Sequence, residues 1–380
     1  MVRLSAVAAI AALSTLAAAH PEPHHDHSMV KREVDYRNDL ANKQTRSLEK
    51  CAGSQKMKRT QQKAIERRAA TLQRLRKERG IADKKIKNRR TVADLEAMEK
   101  VNHNMTGVVS TDVEANSLFG ANTSCILTPE NTIGPYYVTG EYVRSDVTEG
   151  EPGVPMHLEM QFIDTNTCEP LPDLFIDIWA CNSTGIYSGI DTSSGQGGLN
   201  STFLRGVQET NSDGLAVFDT IFPGHYEGRA THEHVVAHVG AKLLANGTST
   251  LGTVAHIGQL FFDETLRSAV EDTYPYNTNT VEVTTNDEDM WAPYQAENNY
   301  DPFPEFVYLD SEDITAGLMA WISIGVDSTA NRNVNATNAA YYDATGGHDS
   351  GKSVAGGSGG SMPSGASGTP PAGASGTPSA

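Results

Sequence analysis

The hydrophobic positions of this chain change their spacing along its length, and each spacing predicts a different element. Between Asp35 and Val101, where Gly and Pro are scarce, Ile65, Ala69, Leu72 and Leu75 recur every three or four residues up to Gly80, which predicts an amphipathic helix with a glycine stop. Thr91 is placed as N-cap of a second short helix, with Val92, Leu95 and Met98 on one side. From Cys125 onward, short runs of β-branched and aromatic residues are separated by Gly, Pro, Asn and Asp, the pattern of an antiparallel sandwich or barrel. The predicted strands are Met156–Asp164, Leu174–Cys181, Leu215–Phe222, His232–Gly240, Gln259–Asp263, Thr280–Thr285 and Leu318–Val326. Beyond Thr345 the chain is Gly, Ser, Pro and Ala, with too little apolar bulk to offset the entropy of ordering. The expected fold class is mainly β: a basic helical segment over 33–110, an antiparallel β-sandwich core over 120–340, and a disordered C-terminal tail over 346–380.

Charge divides the chain at the same place. Residues 1–100 carry 23 Lys/Arg against 12 Asp/Glu, whereas 101–380 carry 7 against 35. So negative a larger part repels phosphate backbones and anionic lipid, which argues against nucleic-acid and membrane partners there. The basic helices are expected to dock on the acidic domain or to pair two copies in a homodimer.

The first nineteen residues read as an address: Arg3, an apolar run over Ala6–Leu16, and Ala17-Ala18-Ala19 as cleavage site make residues 1–19 a signal peptide. Residues 20–32, ending in the dibasic Lys31-Arg32, are a candidate propeptide. That apolar run is too short to span a bilayer and none of eighteen follows it, so a secreted, extracellular protein is expected. Sequons at Asn104, Asn122, Asn182, Asn200, Asn246 and Asn335 agree with export as a glycoprotein. In an oxidising compartment Cys51, Cys125, Cys168 and Cys181 allow two disulfides in three pairings, and sequence does not choose among them.

The sharpest chemistry lies in Arg229-Ala-Thr-His232-Glu-His234. Histidines two apart on a strand point to the same face and can converge on one metal ion, with Glu233 facing away. Tyr226 lies six residues before His232, in Pro223-Gly-His-Tyr226, and Tyr187 thirty-nine before that. A phenol with a pKa of about 10 gives up its proton only to a strong Lewis acid, so paired tyrosines point to Fe(3+). A rival zinc set of His232, His234 and His238 leaves both tyrosines unexplained.

The segments Thr128-Pro-Glu-Asn-Thr-Ile-Gly-Pro-Tyr-Tyr137, Ile178 to Tyr187, Asp213 to Tyr226, Arg229 to His234 and Gln259-Leu-Phe-Phe together resemble the intradiol ring-cleavage dioxygenases. The chain is similar in these motifs to catechol 1,2-dioxygenase and protocatechuate 3,4-dioxygenase, and more so to their secreted fungal branch. The resemblance covers about residues 125 to 330. It implies that Tyr187, Tyr226, His232 and His234 hold ferric iron, with Tyr226 doubling as a base. It further implies that Arg229 and Gln259 stand beside the reacting carbon, and that Tyr136 and Tyr137 wall the pocket. The implied reaction inserts both atoms of O2 into a catechol and opens it between the hydroxyl-bearing carbons to a muconate-type diacid. Ala230 and Glu233 depart from the family, which has Pro and an apolar residue there. The alternative is a secreted wall-associated or binding module whose metal site is vestigial.

Overall fold

The computed structural model of the chain describes residues 51, 54–81, 103–105, 132–295 and 301–352. The signal peptide, the candidate propeptide, the helix expected after Thr91, Cys125 and the chain from 353 onward lie outside the described residues. In order come helix α1 (Gln55–Glu78) and strands β1 (Val138–Thr139), β2 (Pro155–Asp164), β3 (Leu174–Trp179), β4 (Arg205–Glu209), β5 (Leu215–Ile221), β6 (His232–Val239) and β7 (Thr253–Phe261). Helices α2 (Glu264–Glu271) and α3 (Ala292–Gln295) follow, then β8 (Glu305–Asp310), β9 (Asp313–Val326), β10 (Ala340–Asp343) and β11 (Gly346–Asp349).

Two four-stranded sheets, ordered β5-β2-β9-β8 and β4-β3-β6-β7, make the sandwich, and a small sheet β1-β10-β11 stands beside them. Strand alternation decides what lies between them. Met156, Leu158, Met160 and Phe162 of β2, with Leu318, Ala320, Ile322 and Ile324 of β9, belong to the same buried cluster as Leu174, Ile176 and Ile178 of β3 and Val235 and Ala237 of β6. Burying such a side chain contributes roughly 1.5–3 kcal/mol. His232, His234 and Val236 alternate with these core residues along β6 and so face outward from the second sheet.

The first sheet has its outer face covered too, which is why β2 is buried nearly throughout despite its alternation. Ile65, Leu72 and Leu75 of α1 join Met105, Val307, Leu309, Met319 and Trp321 in a second apolar cluster. At its centre Glu159 accepts from Arg67 Nη2 and Arg68 Nε, both at 2.7 Å. Burial pushes this carboxyl up, but the two guanidinium groups outweigh it and hold it below its ordinary range. A disulfide joins Cys51 to Cys168, and ion pairs of Lys56 with Glu169 and Lys63 with Asp213 line the exposed edge. The basic helix therefore docks on its own acidic domain. The homodimer expected through the N-terminal helices cannot use this stripe of α1, because the chain's own sheet already covers it.

Several strand expectations are corrected. The first sheet is mixed, since β9 runs parallel to β2, a pairing open to strands joined by a long connection. The Thr280–Thr285 stretch is not a strand: Val281 and Val283 are exposed, and the carbonyls of Val281 and Thr284 accept from His225 and Arg267 instead of a ladder. The structured domain runs past residue 345, because Gly346–Asp349 pairs with β10 and Gly347 N donates to Asn200 Oδ1. The strands β4 and β8 were not expected, being rich in charge, and β7 begins at Thr253 rather than Gln259.

The short segment 103–105 is pinned by His103, whose Nδ1 and Nε2 lie 2.8 and 2.7 Å from carboxylate oxygens of Asp263 and Asp301. Burial alone would lower its pKa, but the two carboxylates outweigh burial and raise it to about 10. A raised folded pKa means stability fully present below the unfolded value of about 6.5 and lost as pH rises through about 10. The stability difference between the parent and His103→Gln, read from urea denaturation, is expected to hold steady at pH 6 and to shrink toward pH 10. Glu159→Ala, which strands two cations beneath α1, is expected to cost about 3–5 kcal/mol in the same assay.

Candidate metal centre

The register of the second sheet lays one row of side chains across its outer face. Arg205 of β4 pairs with Trp179 of β3, Trp179 with His234 of β6, and His234 with Gln259 of β7. Neighbouring strands are about 4.8 Å apart, so the row is contiguous. The Trp179 indole stacks on the His234 ring with centroids 4.5 Å apart and planes at 7°. From the other side Gly134 presses in with φ +77°, where an added Cβ would lie 3.0 Å from His234 Cε1. His234 is thus wedged in one orientation.

The tyrosines come from loops held to one another by backbone contact. The Asn182 side-chain Oδ1 accepts from Thr184 N and Ile186 N and shapes the turn before Tyr187, while its Nδ2 donates to Glu151. Tyr187 N then donates to Gln196 Oε1 at 2.7 Å. The Pro223–Tyr226 loop lies directly against this turn: a Cβ on Gly185 would come 2.4 Å from His225 O, and one on Gly224 2.3 Å from Asn182 O. Only glycine at these two positions lets the loops approach so closely. Rings of Tyr187 and Tyr226 end 5.5 Å apart, edge to face.

All four predicted ligands meet. His232 Nδ1 lies 2.6 Å from Ala230 O, so it carries the proton and leaves Nε2 bare. That Nε2 is 3.1 Å from His234 Nε2 and 3.3 Å from Tyr226 Oη. Imidazole nitrogens about 2.1 Å from a shared cation, set at right angles, lie about 3 Å apart, so the two histidines hold the spacing that one ion needs. Tyr187 Oη is buried and has no hydrogen-bond partner among the described residues. Burial drives both phenols above their ordinary pKa, Tyr187 further through its phenol neighbour. Burial, then the neighbouring His232 and Arg229, drives His234 well below its own. Two imidazoles and two phenols buried together are a set that a strongly acidic cation can convert to ligands by displacing their protons. His238 does not join it: four residues on along β6 is about 13 Å, and its Nε2 lies 3.8 Å from Asp177 instead. Among the described residues no three His, Cys, Asp or Glu side chains form a metal-holding group.

Beside these four side chains, Arg229 is buried and fixed. Its Nε donates to Asp289 Oδ2 at 2.8 Å and its Nη2 to Gln259 Oε1 at 2.7 Å, while Gln259 Nε2 donates to Thr132 O. Burial opposes its charge, but the Asp289 carboxylate outweighs burial and raises its pKa. Tyr136 packs 4.7 Å from Tyr187 and 6.5 Å from Tyr226, a wall of the site. Tyr137 stands behind, against Trp179 at 5.1 Å. Glu233 faces the opposite way from its histidine neighbours, fully buried, and burial raises its pKa well above the usual carboxylate range. Cys181 is a free buried thiol that donates to Gly224 O.

Sequence motifs alone pass over Asp289, whose Oδ1 also accepts from Trp291 N and Ala292 N and whose Oδ2 accepts from Ala230 N. Its signal is a helix-capping one: an aspartate three residues before a short helix with proline near its start. Asp289→Asn is expected to leave a buried guanidinium unpaired and cost about 3–5 kcal/mol of stability by thermal or chemical unfolding.

The chain is similar in sequence to known proteins over this region. Residues 133–263 match the family model described as Dioxygenase. Catechol 1,2-dioxygenase 1 of Acinetobacter lwoffii is 30% identical over 104 residues, 26% of this chain, which spans about a third (32%) of the length of that relative. An intradiol ring-cleavage dioxygenase of Tetranychus urticae is 29% identical, with 55% of this chain and 97% of that one covered and a TM-score of 0.45. A catechol 1,2-dioxygenase of Pseudomonas arvilla is 20% identical over 56% of this chain and 65% of that one, with a TM-score of 0.37. The segment that matches the dioxygenase family model contains Tyr187, Tyr226, Arg229, His232, His234 and Gln259, and over it the chain is similar to the intradiol ring-cleavage dioxygenases.

Proposed function

We propose that the protein is an exported ferric dioxygenase that inserts both atoms of O2 into a catechol-type ring and opens it between the two hydroxyl-bearing carbons, giving a muconate-type diacid. The observation that carries this reading is the meeting of His234 Nε2, His232 Nε2 and Tyr226 Oη, each within 3.3 Å of the next, beside the buried Tyr187 phenol. These residues would hold the ion, and two phenolates favour iron in its ferric state. When bound, ferric iron withdraws electron density from a chelated catecholate and so activates the ring toward dioxygen.

The chain's own residues do the rest. Tyr226 lies at the edge of the cluster, where its oxygen can take a proton from a substrate hydroxyl. Arg229, held by Asp289 and Gln259, keeps a stationary positive charge where negative charge develops on the ring, a preorganisation worth several kcal/mol. Tyr136 offers a flat aromatic wall to a planar substrate. Export is supported by the signal-like leader, the sequons and the Cys51–Cys168 disulfide, a bond typical of oxidising compartments.

Purified protein loaded with ferric iron is expected to be burgundy from phenolate-to-iron charge transfer, with a band that moves on adding catechol. Oxygen uptake should match diacid formation, and Tyr226→Phe should lower turnover about a hundredfold or more. Protein that stays colourless after iron loading would favour the wall-associated binding module, and cleavage outside the hydroxyl pair would contradict the intradiol assignment.

A further inference from the structure

At the end of the sheet row opposite Gln259 stands a second buried guanidinium that the reaction itself does not use. Arg205 Nε donates to both the carbonyl and the hydroxyl of Ser188 at 3.0 Å, Nη2 donates to Tyr136 O at 2.8 Å, and Nη1 donates to Glu141 Oε1 at 3.2 Å. Its Cζ lies 6.0 Å from the centroid of the Tyr187 ring. Ser188 directly follows Tyr187, and the Tyr136 ring packs on Tyr187. One rigid fork therefore grips the backbone on both sides of the aromatic pair.

We propose that Arg205 is a positioning residue that fixes the Tyr187 phenol and the Tyr136 wall relative to His234. The inference deepens the ferric reading and rests on it for its catalytic consequence. It stands on geometry: the fork ties the Tyr136 backbone directly to the Tyr187 turn, and Trp179 alone separates Arg205 from His234 in the row. Glu141, the carboxylate that the fork meets, is buried beside Asp177, and burial followed by the Asp177 charge raises its pKa well above the usual range. Lysine keeps the charge but not the planar array of donors, so it cannot hold Ser188, Tyr136 and Glu141 together.

The test uses the full chain and Arg205→Lys. In metal-free protein labelled with 13Cζ-tyrosine, and assigned with Tyr187→Phe and Tyr136→Phe, the Tyr187 and Tyr136 resonances are expected to shift or broaden while that of the exposed Tyr274 stays put. In iron-loaded protein the charge-transfer band is expected to move, and kcat to fall about tenfold with KM within about twofold. Unchanged Tyr187 and Tyr136 resonances in Arg205→Lys overturn the proposal, as does an unchanged band in protein that takes up iron. If Arg205→Lys does not fold, Ser188→Ala, which removes a single acceptor of the fork, takes its place: shifted resonances support the proposal and unchanged ones overturn it. A parent that takes up no iron defeats the ferric reading alone, since the resonance measurement needs no metal.

Discussion

The centre depends on the cross-strand register of the second sheet. Because alternate residues of a strand share a face, His232 and His234 leave the core together, and the pairing of β3, β6 and β7 sets Trp179 and Gln259 on either side of His234. A slip of one residue in β6 would turn both imidazoles into the apolar layer and bring Glu233 out. The hydrophobic cluster between the sheets prevents that slip, since Val235 and Ala237 have no other place to go. Packing between the sheets and chemistry outside them are thus two faces of the same constraint.

Around that rigid row the remaining parts are loops, and each is immobilised by a different device. The turn before Tyr187 is fixed by an asparagine side chain, the Tyr226 loop by glycine contacts without a Cβ between the backbones, and Arg229 by a carboxylate that also caps α3. These devices add to the apolar packing of Ile133, Tyr137, Trp179, Val236 and Ile257 around the tyrosines, and buried polar networks of this kind rigidify a site where their groups are paired.

Residues with a short-range signature were legible in the sequence. The helix α1 showed through its periodicity, the strands β2, β3, β5, β6 and β9 through theirs, and the cluster of Tyr187, Tyr226, His232 and His234 through the order and context of those residues. What escaped depends on partners far away in the chain. Asp289 matters because Arg229 lies opposite it, and Arg205 because Trp179, Tyr136 and Ser188 converge on it; Arg205 has no local pattern beyond a polar residue in a strand, and Asp289 only the capping signal of an aspartate before a short helix. The strands β4 and β8 were hidden for the same reason, since the buried polar groups of Arg205 and Glu305 are satisfied by distant partners. The Thr280–Thr285 stretch misled in the opposite sense, having strand-like alternation but no neighbouring strand to receive it.

The helix α1 and the row of Arg205, Trp179, His234 and Gln259 occupy opposite outer faces of the sandwich, with the whole inter-sheet core separating them. Sheets stacked face to face are about 10 Å apart, so the two surfaces share no side chain. The leading portion of the chain can accordingly diverge, lengthen or acquire new attachments on its own side while the opposite side keeps its architecture, and the disulfide ensures that whatever is added there remains moored to the body it accompanies.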